Sequence, residues 1–204
     1  MMLSSWTSQQ WGMVTAGQAR RAGVSRVDVS RLVADGILER VDGADGVYRL
    51  AGSPEDPDID GLRAAWLQLG GALSWEERRR LADTVVSHRS AAHARGLGDL
   101  IPHEHEFYVD RRRRLARDDV RLRVRSEMPI EWSLWNGLPV CTVEQIVGDL
   151  LADHEDESAV ATICRDTLRD GLTTRDRLRP AVARVSAAYR TSSDELIDRL
   201  LRAA

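Results

Sequence analysis

Ser25, Arg26, Val27, Ser30 and Arg31 lie within seven residues of one another, at a spacing that a helix gathers onto one outward face. Arginine can donate two parallel hydrogen bonds to the edge of a guanine, a contact worth ~1–3 kcal/mol of base discrimination. Serine hydroxyls and the free amides at a helix N-terminus suit phosphate oxygens. The chemistry these side chains offer is recognition of duplex DNA rather than bond making. Arg20, Arg40 and Arg49 are candidates for backbone phosphates beside that helix. The chain of 204 residues contains no lysine, so all 29 of its basic residues are arginine. That excludes a Walker A phosphate loop, a pyridoxal Schiff base and any nuclease centre built on a catalytic lysine. It also means that every basic contact uses a planar guanidinium fork instead of a point charge. No Ser–His–Asp order, carboxylate pair or glycine-rich loop assembles into a catalytic centre. A non-enzyme without cofactor or metal is the expectation.

The elements that position these residues are legible locally. Thr15 caps a helix of Ala16 to Ala22, with Gln18 completing a capping box. Gly23 stops it, Ser25 caps a second helix running to Asp35, and Gly36 stops that one. Ala19 is small where the helices would cross, and Val24, Val29 and Leu32 supply a shared core. Gln18 departs from this pattern, being polar at an inward position. Ile37 to Val41 and Val47 to Leu50 read as strands about a turn at 42–46, and a helix from about Thr7 to Gly12 precedes the set. Helix, turn, helix and hairpin make a winged helix, whose second helix enters the major groove. The aspartates Asp42 and Asp45 at the wing tip oppose deep insertion between phosphates.

From Ala51 to Gly61, two prolines, two glycines and four acids in eleven residues read as a linker. The expected organisation is a DNA-binding head at 1–52, a linker at 53–61 and a C-terminal domain at 62–204. The fold class is α+β, a winged helix-turn-helix followed by a larger mixed domain with a small β-sheet and a helical C-terminal part. Strand patterns fall at 106–109, 120–125, 130–134 and 138–141, and apolar stripes at helical spacing follow from Thr142 onward. The net charge of −3 hides an uneven distribution: ten arginines against seven acids at 81–126, then nine against fourteen at 127–204. Two surfaces with different partners are implied. Arg111, Arg112, Arg113 and Arg114 are either a solvated loop or accessory phosphate contacts. His103 and His105 would share one face of a strand, but no third metal ligand is evident. Cys141 and Cys164 stand alone among apolar residues and read as small core side chains. No apolar run approaches the ~20 residues of a membrane span, and the chain reads as cytoplasmic, without a membrane partner.

The order of several motifs resembles a known family. Gly12-Met13-Val14-Thr15, Ala19, Gly23-Val24-Ser25, Leu32-Val33, Gly36 and Val47-Tyr48-Arg49-Leu50 look like the N-terminal winged helix of AbiEi-type antitoxins, which belong to abortive-infection (type IV) toxin–antitoxin systems. Val85 to Ala92, Gly137-Leu138-Pro139-Val140 and Thr142-Val143-Glu144 are similar to the antitoxin domain of the same family. The lysine-free, arginine-rich usage also looks like that of a high-GC bacterium. The resemblance implies a head that binds inverted repeats in double-stranded promoter DNA and represses its own operon. It implies a body that counters a nucleotidyltransferase-type toxin, directly or functionally. Within the Ser87-His88-Arg89-Ser90 segment, the serines sit at capping positions and so read as structural. Two other readings stay open from the residues: a winged-helix protein-interaction module or regulator without an antitoxin role, and a fused nuclease, against which the missing lysine argues.

Overall fold

The computed structural model describes residues 3–81, 83–113, 115–125 and 130–202. The chain is of mixed α+β class, with two small sheets and helices, and it forms two compact units. One comprises Met1–Thr84 with Arg112–Val120; the other comprises Val85–Arg111 with Arg121–Ala204.

The first unit opens with α1 (Ser4–Thr7), β1 (Met13–Thr15), α2 (Ala16–Arg21), α3 (Arg26–Ala34), β2 (Leu38–Arg40) and β3 (Val47–Leu50). Both expected caps form: the Thr15 hydroxyl accepts from the Gln18 amide in the expected capping box, and the Ser25 hydroxyl accepts from the amide of Asp28, which completes a second box. Gly23, at φ +82°, supplies the left-handed step between the two helices. Ala19, Val29 and Leu38 form the buried centre, with Val24, Leu32, Val33, Tyr48 and Leu50 packed around it. The three strands pair antiparallel in the order β1-β3-β2, with Thr15 opposite Val47 and Arg40 opposite Tyr48.

Two local expectations shift. The first helix is Ser4–Thr7 rather than Thr7 to Gly12, because Trp11 and Gly12 take φ of +56° and +76° and turn the chain into β1. That strand, three residues long and buried throughout, carries no alternation by which a periodicity could be recognised. Gln18 is fully buried, yet all its bonding capacity is used. Its carbonyl oxygen accepts from the Thr15 amide and from Gln10 Nε2, while its own Nε2 donates to Gln10 Oε1 and to the Leu73 carbonyl. A fully satisfied amide pair replaces the apolar contact at that position.

The compact unit does not end at the segment expected to be a linker. α4 (Asp60–Gly70) and α5 (Trp75–Leu81) pack into the same unit as the head. The Thr15 hydroxyl donates to the Gly71 carbonyl at 2.5 Å, and Arg21 grips Glu77 through two bonds of 2.6 and 2.8 Å. Three of the four acids that made 53–61 look solvated have partners: Glu55 pairs with Arg49, Asp56 with Arg63, and the Asp60 carboxylate receives Arg49 at 2.5 Å, Arg63 at 3.0 Å and the Asp56 amide at 2.8 Å. Arg78 is buried, lies 3.9 Å above the Trp66 ring and donates to the Trp66 carbonyl.

The second unit is built on a five-stranded mixed sheet in the order β6-β5-β4-β8-β7, with β4 at Thr84–Val86, β5 at His105–Val109, β6 at Val120–Val124, β7 at Trp132–Trp135 and β8 at Leu138–Cys141. Strand β4 lies at its centre, parallel to β8, and is buried at every residue. A central strand buried on both faces shows no polar alternation, which is why Val85 and Val86 gave no strand signal of their own. Helices α6 (His88–Ala94), α7 (Val143–Ala152), α8 (Glu157–Arg169), α9 (Arg175–Ala183) and α10 (Ser193–Arg202) complete it. Cys141 and Cys164 are buried and unbonded, and burial pushes the Cys164 thiol up to about 12.

Candidate nucleic-acid interface

Helix α3 turns the stripe of Val29, Leu32 and Val33 toward the core, which leaves Arg26, Val27, Ser30 and Arg31 exposed on the other side. Val27 is 59% exposed and offers apolar surface on that side. Arg31 is 74% exposed and lies 3.6 Å from Asp28, a surface ion pair worth ~0.2–1 kcal/mol that a phosphate or base edge readily replaces. The hydrogen bonds of Ser25 hold the Asp28 carboxyl below its usual range, with Arg31 adding a smaller pull. Ser25 and Ser30 are committed within the helix. The Ser25 hydroxyl donates to Asp28 at 2.5 Å and that of Ser30 to the Arg26 carbonyl at 3.0 Å. Their role at this face is to fix α3, and the free donors are the guanidinium groups.

Arg20, Arg26 and Arg40 are all exposed and line one cleft of about 450 Å³ with Val24, Val29 and Tyr48. Among the described residues none of the three has an ion pair, and Arg40 lies 5.8 Å above the Tyr48 ring. Most other arginines of this unit behave differently: Arg21, Arg49, Arg63, Arg78, Arg80, Arg113 and Arg117 each hold a carboxylate, whereas Arg79 stacks on Trp75 and Arg112 is exposed. Three of the arginines without an ion pair thus stand together beside α3.

The structure separates the remaining candidates. Arg49 is not available to DNA: its side chain is 7% exposed and bridges Asp60 at 2.5 Å and Glu55 at 3.1 Å. It sits at an inward position of β3, where alternation along the strand would have predicted burial. Arg113 likewise binds Asp83 at 2.6 Å and the Leu69 carbonyl at 3.1 Å, so it holds its loop instead of reaching solvent. Arg111 and Arg112 are exposed, and Arg114 lies outside the described residues. Asp42 and Asp45 are exposed at the hairpin tip.

In the second unit, the Ser87 to Ser90 segment ties elements together. Ser87 stands at the N-terminal cap of α6 but its side chain caps nothing. It bonds His88 Nδ1 at 2.9 Å, and the Glu106 carboxylate accepts the Arg89 amide instead. Ser90 donates to the Glu104 carbonyl and accepts the Glu106 amide. Among the described residues no cluster of His, Cys, Asp and Glu is placed to hold a metal ion.

Two buried groups here oppose one another on titration. Burial, reinforced by Arg123, pushes the His88 imidazole down to about 3, against a pull from Asp153. Burial raises the Asp149 carboxyl to about 6 despite the bonds from Tyr108 and Gln145 and the charges of Arg125 and Arg184. A lowered histidine leaves stability intact above its unfolded value near 6.5 and erodes it as pH falls toward 3. A raised carboxyl works in reverse, costing stability as pH rises from about 4 to 6. Between pH 4 and 6 the two slopes cancel. Asp149→Asn is expected to replace that plateau with a loss of about 1.4 kcal/mol per pH unit on acidification, read by urea denaturation. A plateau that survives the substitution would refute the assignment.

No described helix is long and apolar enough to cross a membrane. No curated protein matches the chain. Its fold is similar to that in the crystal structure of the RV2827C protein from Mycobacterium tuberculosis, with a TM-score of 0.59 at 17% identity, covering 97% of this chain and 78% of that one. Residues 1–51, which carry β1, α2, α3 and the hairpin, match the model of a family described as transcriptional regulator, AbiEi antitoxin.

Proposed function

We propose that the head is a winged helix that reads duplex DNA at inverted repeats in its own promoter, and that the chain is the antitoxin of a type IV-like toxin–antitoxin system. On this reading α3 is the recognition helix, with Arg26, Val27 and Arg31 facing the groove and Arg20 and Arg40 meeting the backbone. The observation that carries it is the grouping of three exposed arginines without ion pairs, Arg20, Arg26 and Arg40, around one cleft beside α3, in a unit where most other arginines hold a carboxylate. The match of residues 1–51 to antitoxin transcriptional regulators supports the same reading. The remainder of the chain counters a nucleotidyltransferase-type toxin in the cytoplasm, without catalysis of its own.

A footprint by the full-length protein on DNA upstream of its gene tests this. Protection of an inverted repeat is expected, and it should fade steeply with salt because phosphate neutralisation releases counterions. The head's net charge of +1, low for a DNA reader, favours a second reading in which the same face binds protein. Absence of any footprint at low salt would select that reading and overturn the first. Co-expression with the product of the adjacent gene tests the antitoxin half: relief of growth arrest is expected from the intact chain.

A further inference from the structure

The DNA-reading assignment treats Arg26 and Arg31 alike, but their surroundings differ. Arg26 lines the cleft between α2, α3 and the hairpin together with Arg20 and Arg40, whereas Arg31 stands one turn further along α3, beside Asp28. The cleft has a mixed floor. Val24, Val29 and Tyr48 supply apolar and aromatic surface, and Ala16, Gly17 and Gly46 leave it without bulky side chains. Asp45 is the one carboxylate among the residues lining it. Three guanidinium groups and one carboxylate leave an excess of two positive charges around a volume of about 450 Å³. An open cleft lined by three forks, with positive charge in excess, suits a phosphate group bonded by several of them.

We infer that Arg20, Arg26 and Arg40 together clamp one backbone phosphate of the bound duplex, so that Arg26 positions the protein while base reading falls to Arg31 and Val27. This rests on the DNA-reading assignment and divides its residues. An exposed valine beside an arginine offers apolar contact to a thymine methyl and a fork for guanine. A phosphate gripped from α2, α3 and β2 at once would fix the angle at which α3 enters the groove. Asp45, at the rim, tempers the clamp.

Fluorescence anisotropy of the full-length protein on its upstream duplex and on a scrambled duplex, across a salt series, tests the division. Arg26→Ala is expected to weaken binding to both duplexes by the same factor. It should lower the slope of log K against log salt by no more than about 0.9, the value for one phosphate. The triple variant Arg20→Ala/Arg26→Ala/Arg40→Ala should lose about 0.9 as well, where three separate phosphate contacts would lose about 2.7. A single neutral methylphosphonate at the clamped position should reduce the wild-type protein to the affinity of the triple variant and leave that variant unaffected. Asp45→Asn should tighten both duplexes equally. A loss of discrimination with Arg26→Ala, or slopes that sum toward three contacts, would overturn the clamp while leaving DNA reading in place. Wild-type protein that binds neither duplex would overturn DNA reading itself. Circular dichroism of each variant separates these results from misfolding.

Discussion

The Arg26→Ala/Arg31→Ala protein is expected to bind its upstream DNA at least about thirtyfold more weakly than the unaltered chain, while folding normally. Each arginine contributes about 1–3 kcal/mol whether it meets a phosphate or a base edge, and the two sit a turn and a half apart with no shared partner, so their losses should nearly add. Both side chains are exposed and neither belongs to the core of Ala19, Val29 and Leu38. Exposed substitutions of this kind usually change stability by no more than ~0.5 kcal/mol, and the melting temperature should stay within about 2 °C. The same protein should still relieve the growth arrest caused by its toxin partner, since nothing in the second unit is altered. Retained operator affinity would remove α3 as the reading element. Lost rescue alongside lost DNA binding would show that the two activities are not separable by unit.

Elements fixed by local signals are legible in the sequence, and those fixed by distant residues are not. The capping box at Thr15, the cap at Ser25 and the stops at Gly23 and Gly36 are local signals, and the helices form where they indicate. Exposure of Arg26, Val27 and Arg31 followed from the apolar stripe on the opposite side of α3. What escaped were facts set by residues far apart in the chain. Arg49 looked like a phosphate ligand because its type suits one, yet its place in β3 opposite Met13 and Glu39 turns it toward Asp60. Gln18 looked misplaced until Gln10 and Leu73 arrived as partners. β4 is stabilised by its neighbours in the sheet, so a run of three buried residues carries no signal of its own. The acidic, proline-containing stretch before α4 has the composition of a linker, and only the positions of Arg49 and Arg63 show that Glu55, Asp56 and Asp60 are bound.

Removing one of those acids should be costly. Asp60 is 8% exposed, and its carboxylate is shared by two arginine side chains exposed by only 7% and 10%. Asp60→Ala would leave Arg49 and Arg63 buried with weaker partners, Glu55 at 3.1 Å and Asp56 at 3.4 Å, whose carboxylates are largely solvated. Breaking a buried pair from one side typically costs about 3–5 kcal/mol, and the two surviving acids place the expectation near the lower end. The carboxyl is held below its usual range by the Asp56 amide and the two guanidinium groups, which together outweigh the opposing effect of burial. Its contribution is therefore full above about pH 4, the unfolded value, and is lost as pH falls through the lower folded one. Asp60→Ala should abolish that part of the acid transition as well as shifting the urea midpoint at neutral pH. Because Arg49 also anchors the central strand of the head's sheet, the variant should bind DNA normally when cold and lose binding in step with unfolding as it warms. Replacing Arg49, Asp60 and Arg63 together with apolar residues of similar volume should restore most of the stability, since no buried charge is then left unpaired. Stability unchanged in Asp60→Ala would mean that Glu55 and Asp56 suffice to hold both arginines, and that the hairpin is kept in place by its apolar core alone.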